Sequence, residues 1–307
     1  IITALRLTLG FSRQTSSEKE VFMAQRSVEK IVTGRPSVDG AGVRLVRVLG
    51  APTVYDFDPF LMLDAFDSYN PDDYVRGFPM HPHRGIESFT YLMEGEFDHQ
   101  DSLGHQGRIL DGCCQWMTAG NGILHQEMPK PTERLLGLQL WINLPRAQKM
   151  TEPKYRDITP AKVPVLDEDG ARVAIVAGAY ATAQGNVDGA TKGDYVPVRF
   201  LDVWLGPSKN WSVETQPADT VFAYLVEGSC FQEELEIPAR RAVLFGPGDN
   251  LRLTGGPKGA RFVLVSGRPL REPVAWGGPI VMNTESEVRQ AFQELEDGVF
   301  LRHARRR

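Results

Sequence analysis

Only one stretch of this chain, near its C-terminus, spaces its apolar residues at a helical interval; most of what precedes it reads as short β segments separated by turns. Residues 43–49, 89–93, 138–142, 173–176, 222–226 and 262–265 are rich in β-branched and aromatic side chains, with Gly and Asp/Asn clusters between them. The 30 glycines and 21 prolines fit a chain of many turns. Many strands without helices to cover them must bury their apolar faces against one another, which predicts an all-β sandwich or barrel. At 307 residues, two domains are the better expectation.

The chain also echoes itself. Tyr91-Leu-Met-Glu-Gly95 returns as Tyr224-Leu-Val-Glu-Gly228, and each copy is followed by a second Gly-rich turn, Thr118-Ala-Gly-Asn-Gly122 and Phe245-Gly-Pro-Gly-Asp249. The interval is too long for a solenoid unit and matches a duplicated domain. The Pro-containing stretch 144–153 reads as the connection, giving domains over residues 23–150 and 151–307. Residues 1–22, with arginines and hydroxyls, read as a leader or start-site extension outside the fold, because Met23-Ala24-Gln25-Arg26 resembles a natural start. At the far end Thr284 and Glu287 form a capping-box pattern; Val288, Ala291, Phe292 and Leu295 mark the buried face of a short helix, and Gly298 stops it. The tail from His303 reads as a solvated end.

Composition removes several classes of function. The net charge of -5 lacks the basic footprint of a nucleic-acid binder. No segment has the apolar length of a membrane helix. Three cysteines, of which Cys113 and Cys114 are adjacent, cannot build a disulfide framework, so a reducing, cytoplasmic setting is expected.

Chemistry concentrates between residues 77 and 129. Five of the six histidines lie between positions 81 and 125. His81-Pro-His83 sends two imidazoles from one face of a strand, and His125-Gln-Glu127 does the same with an imidazole and a carboxylate. Pro82 has no amide proton to donate and marks an edge or irregular strand. Either pair alone is ordinarily a polar strand face. Together, each beside glycine turns, they point to a divalent first-row metal held by three imidazoles and a carboxylate, with two octahedral positions left open. A structural zinc site fits less well, since cysteines at zinc-binding spacings are missing.

At these residues the chain resembles a known family. Gly77-Phe-Pro-Met-His-Pro-His-Arg-Gly-Ile-Glu87 with Tyr91-Leu-Met-Glu-Gly95 is similar to the first cupin motif in its pirin form. Gln115-Trp-Met-Thr-Ala-Gly-Asn-Gly-Ile-Leu-His-Gln-Glu-Met-Pro129 is similar to the second, and Gly267-Arg-Pro-Leu-Arg-Glu-Pro-Val274 with Gly278-Pro-Ile-Val-Met-Asn283 to the family's C-terminal signature. The resemblance spans about residues 25–300 and implies a bicupin, two tandem β-barrels with metal in the N-terminal one. By the family pattern His81, His83, His125 and Glu127 hold iron(II), or another divalent first-row metal. The only histidine after position 125 is His303, in the tail, so the second barrel is expected to hold no metal and to be filled by apolar side chains.

The pattern is not matched everywhere. Gly112-Cys113-Cys114 stands where pirins commonly have Gly-Asp. Either thiol could be redox-reactive, although buried, inert thiols are the commoner case. Glu87 occupies a position where many cupins place a ligand, but the pirin pattern gives that role to Glu127, leaving Glu87 a supporting one. Glu87, Phe89, Tyr91 and Met93 share one strand face and are expected to fill the barrel. The segment from His99 to His105 reads as hairpin surface, and Arg84 as an ion-pair partner rather than a substrate clamp. Two functions follow from the resemblance. One is a quercetinase-like, iron(II)-dependent dioxygenase acting on a small aromatic substrate such as a flavonol, with Glu127 as the catalytic base. The other is a non-catalytic redox-sensing regulator or transcription co-regulator that acts through protein partners.

Overall fold

The computed structural model describes residues 24–302, so the readings of residues 1–22 and of the tail from His303 lie outside it. Two large antiparallel sheets carry the molecule. In the first, the strands run in the order Lys154–Ile158, Cys114–Thr118, Ile86–Glu94, Leu135–Asn143, Phe60–Ser68, Val43–Leu49, Arg35–Asp39. In the second, the corresponding path is Val28–Thr33, Arg241–Phe245, Thr220–Gln232, Asn250–Gly267, Val198–Leu205, Ala171–Ala177, Val165–Glu168. Tyr91 and Tyr224 occupy the third strand of each path, so the sequence echo is a structural repeat. A four-stranded sheet in the order Phe78–His83, Ile123–Pro129, Phe97–Asp101, Gln106–Ile109 completes the first barrel. The architecture is the expected all-β bicupin with one C-terminal helix.

The sheets do not divide at residues 150 and 151. Lys154–Ile158 still pairs with Cys114–Thr118 of the first sheet, while Val28–Thr33 crosses to pair with Arg241–Phe245 of the second. Each half thus covers one open edge of the other, satisfying backbone groups that would otherwise face solvent. Arg26 anchors the N-terminal crossing. It is buried, and its guanidinium donates to Thr215 Oγ1, the Gly246 carbonyl and the Gln216 carbonyl, all at 2.7 Å.

The large sheets also pack face to face. Phe89 lies 4.9 Å from Phe200 between ring centroids, and Phe60 lies 5.2 Å from Phe222. Tyr91, Met93, Trp116, Tyr224 and Val263 belong to the same buried cluster. This corrects the expectation that Glu87, Phe89, Tyr91 and Met93 fill the barrel. Ile86–Glu94 is buried on both faces; its odd-numbered residues face the other half, and Thr90 and Leu92 face the first barrel. Across this interface Tyr91 donates to Asp202 Oδ2 at 2.7 Å, and Arg261 pairs with the same carboxylate at 2.8 Å. Inside the second barrel, Val173, Leu201, Val203, Trp211, Phe262 and Leu264 form an apolar filling.

After the second barrel the chain returns to the first. A hairpin, Ala275–Gly277 with Ile280–Met282, leads into the helix Glu285–Glu296. The capping box is present: Thr284 Oγ1 accepts from the Glu287 amide, and Glu287 Oε2 accepts from the Thr284 amide at 2.9 Å. Gly298, at φ +65, follows the helix in a conformation that favours glycine. Val288 and Ala291 are buried and Leu295 is half-buried, but Phe292 is 39% exposed, against expectation. Phe292 meets the hairpin at Gly277, beside Val288, and leaves the rest of its ring towards solvent. Arg84 ties this segment down as the ion-pair partner anticipated for it. Its guanidinium pairs with Glu294 at 2.8 Å, donates to the Asn121 and Phe300 carbonyls, and lies over the Phe300 ring.

Candidate metal centre

The strand Phe78–His83 is an edge strand, as Pro82 requires. It pairs antiparallel with Ile123–Pro129, placing His81 opposite His125 and His83 opposite Ile123. On Ile123–Pro129 burial alternates strictly, so His125 and Glu127 both face inward. The donor atoms of His81, His83 and His125 lie within 4.8 Å of one another.

Hydrogen bonds fix how two of these rings present themselves. His81 Nδ1 lies 2.9 Å from the Pro79 carbonyl, and His83 Nδ1 lies 3.0 Å from the Pro279 carbonyl. A carbonyl oxygen only accepts, so each Nδ1 carries the proton and each Nε2 keeps its lone pair. The two Nε2 atoms stand 3.0 Å apart. Facing lone pairs at that distance repel unless a cation lies between them. Two nitrogens bound at about 2.1 Å and at a right angle to one ion are separated by about 3.0 Å. His125 adds a buried ring with no hydrogen-bond partner at either nitrogen. Burial, reinforced by His81, pushes the His83 pKa down to about 3; burial, with His83 and His81 beside it, holds His125 well below the usual range. Both rings are therefore neutral at pH 7, the form in which imidazole binds metal. The donor set and its protonation fit a divalent first-row ion.

Glu127 is not within the group of three. Its Oε1 accepts from Thr90 Oγ1 at 3.1 Å and its Oε2 from Gln139 Nε2 at 2.8 Å, so a buried carboxylate is held in a fixed orientation on the same inward face. Glu87 is also fully buried, but it faces Thr118, which donates to it at 2.7 Å, and its second oxygen has no partner. Burial pushes its carboxyl up to about 7.

His99 departs from its expected place on a hairpin surface. Its ring is buried, stacked on Tyr155 at 4.6 Å and 5.7 Å from the His125 ring, while His105 remains partly exposed. Burial alone would raise the neighbouring Asp101 carboxyl; side-chain contacts with His99 and His105 and two backbone amides bring it down to about 2. Cys114 and Cys230 are buried, and burial holds the Cys114 thiol well above its ordinary range, so it is an inert packing group.

A cavity of about 1170 Å³ opens onto His81 and His83. Its wall includes Gln139, Trp141 and Met62 from the first barrel, the hairpin around Asp39 and Gly40, and Trp276 and Pro279 from the returning segment. Sequence reasoning missed Gln139, Trp141, Trp276 and Pro279. A Gln in an otherwise apolar strand was the available signal for Gln139, and strand parity then adds Trp141. Among the described residues no helix is long and apolar enough to cross a membrane.

Comparison with known proteins agrees with this fold. A Pseudomonas aeruginosa protein named "Putative quercetin 2,3-dioxygenase" is 42% identical over 279 residues, covering 89% of this chain and 98% of that protein. A pirin-like protein of Caulobacter vibrioides is 41% identical, covering 91% of this chain and 100% of its own. Among solved structures, quercetin 2,3-dioxygenase from Acinetobacter baumannii superposes with a TM-score of 0.81 at 29% identity, covering 90% of this chain and 99% of that one. The family model described as Pirin matches residues 42–142 and that described as Pirin C-terminal cupin domain matches residues 200–301. With both halves matched in order around the histidine cluster, the chain belongs to the pirin family.

Proposed function

We propose that this protein is a metal-dependent dioxygenase of the quercetinase type, with iron(II), or another divalent first-row metal, held by His81, His83, His125 and Glu127. The observation that carries the reading is the pair of Nε2 lone pairs fixed 3.0 Å apart beside an open cavity. The likeness to a solved quercetin 2,3-dioxygenase supports a flavonol-type substrate. When bound, such an ion supplies Lewis acidity and one-electron redox chemistry.

The remaining work falls to the chain. Pro79 and Pro279 keep the imidazoles in the tautomer that offers Nε2. Thr90 and Gln139 hold the Glu127 carboxylate, which receives the proton of the substrate hydroxyl at a free oxygen lobe. Trp141, Met62 and Pro279 line the cavity beside the imidazoles and limit water around the reacting atoms. The test is oxygen uptake with quercetin after anaerobic iron loading. Turnover that is lost in Glu127→Gln supports the proposal; stoichiometric iron binding without oxygen uptake would favour the regulator instead.

A further inference from the structure

The cavity has an aromatic wall built from the first barrel and from the segment that returns to it. The Trp141 ring meets His83 edge-on, with centroids 5.0 Å apart and planes at 81°. Trp276 lies 5.9 Å from Trp141 with the ring planes tilted by 34°, so the two indoles succeed one another leading away from a candidate ligand. Trp141 is only 8% exposed, whereas Trp276 is half-buried and lines the same cavity. The outer ring is fixed in place. Its Nε1 donates to the Gly278 carbonyl at 2.8 Å, and Gly278, at φ +52, makes the turn that also brings the Pro279 carbonyl to His83. The residue that orients the imidazole and the residue that forms the outer wall thus sit on one short hairpin. Elsewhere the lining is mixed: Val48, Leu49 and Met62 are apolar, and the N-terminal hairpin contributes Ser37 and Asp39.

We infer that Trp276, with Trp141 behind it, is a specificity-determining residue that selects flat, fused-ring aromatic ligands by stacking. This rests on reading the cavity as the substrate site. A planar ring carrying oxygens on one edge can point that edge at the imidazoles while its face lies on the indoles, whose electron-rich faces favour offset stacking. A ligand with a puckered central ring loses part of the face-to-face contact with the Trp276 indole.

Equilibrium binding of quercetin to the iron(II)-loaded full chain under anaerobic conditions tests this without turnover, with dihydroquercetin, whose central ring is puckered, as the comparison. Trp276→Ala and Trp276→Leu should weaken quercetin binding about tenfold while changing dihydroquercetin binding less than about twofold. Trp276→Phe should keep most of the quercetin affinity. Metal content and melting temperature identify any variant whose fold is disturbed; if Trp276→Ala is disturbed, Trp276→Leu and Trp276→Phe decide. Unchanged quercetin affinity in folded Ala or Leu variants overturns the inference, even where the wild type consumes oxygen. So does wild-type protein that fails to bind quercetin. Quercetin binding that depends on Trp276 without oxygen uptake sustains the inference and removes the dioxygenase reading instead.

Discussion

His83 Nδ1 lies 3.0 Å from the carbonyl oxygen of Pro279, a residue reached only after the second barrel has been completed. An imidazole on the first barrel is therefore aimed by the last part of the chain. Lys149 reinforces the same junction: it is buried, and its Nζ donates to the Gly85 and Val281 carbonyls at 2.8 Å each.

Arg84 clamps that junction, and its removal should be costly. Arg84→Ala leaves Glu294 without its buried partner and two carbonyls without a donor. A loss of about 3–5 kcal/mol of stability is expected. Chemical denaturation of the metal-free protein measures it, and iron affinity should fall in the same variant because His83 loses its fixed orientation.

A second prediction concerns the candidate ligands. The double variant His83→Ala, His125→Ala should fold and retain no stoichiometric iron by elemental analysis. Gln139→Leu should keep the fold but weaken iron binding by about 10–100-fold, because Glu127 loses the donor that orients it. Full iron occupancy in the double variant would contradict the ligand assignment.

Glu87 should give the protein a stability that depends on pH. Its folded carboxyl is raised to about 7 from an ordinary 4.5, so the folded state binds more protons between those values. The contribution is fully present below about pH 4.5 and lost as pH rises through about 7. Glu87→Gln keeps an uncharged group there. Relative to this variant the wild type should lose roughly 3 kcal/mol between pH 4.5 and 7.5, read from urea denaturation at several pH values.

On the C-terminal helix the two apolar positions should differ. Val288→Ala, at a buried site, should lower stability by about 2 kcal/mol. Phe292→Ala should cost about 1 kcal/mol, since the residue is 39% exposed. Equal losses at both sites would contradict the packing described.

The features legible in the sequence were those with a local signature. His81 and His83 share one strand period and His125 and Glu127 another, and the capping box of Thr284 and Glu287 is spelled out three residues apart. The unreadable features depend on partners with no side-chain pattern. Pro279 acts through a backbone carbonyl, which any residue carries. Val28–Thr33 and Lys154–Ile158 exchange edges, and an edge strand has the same period whichever sheet receives it. His99 looked like surface because polar hairpins usually are; a polar barrel interior next to the cluster buries it instead. Phe292 obeys the helical period and meets the hairpin at Gly277, but the two strands cover it only in part.

The crossing of the chain between halves also sets a timetable for synthesis. The strands bearing His81, His83, His125 and Glu127 are complete by Pro129, but the outer strand of the large sheet behind them ends at Ile158 and the hairpin that aims His83 ends at Met282. With translation at about 5–20 residues per second, the nascent chain carries an unfinished site for on the order of ten seconds. An ion meeting the ribosome-bound chain in that interval finds an imidazole still free to turn, so capture in the final geometry belongs to the released chain.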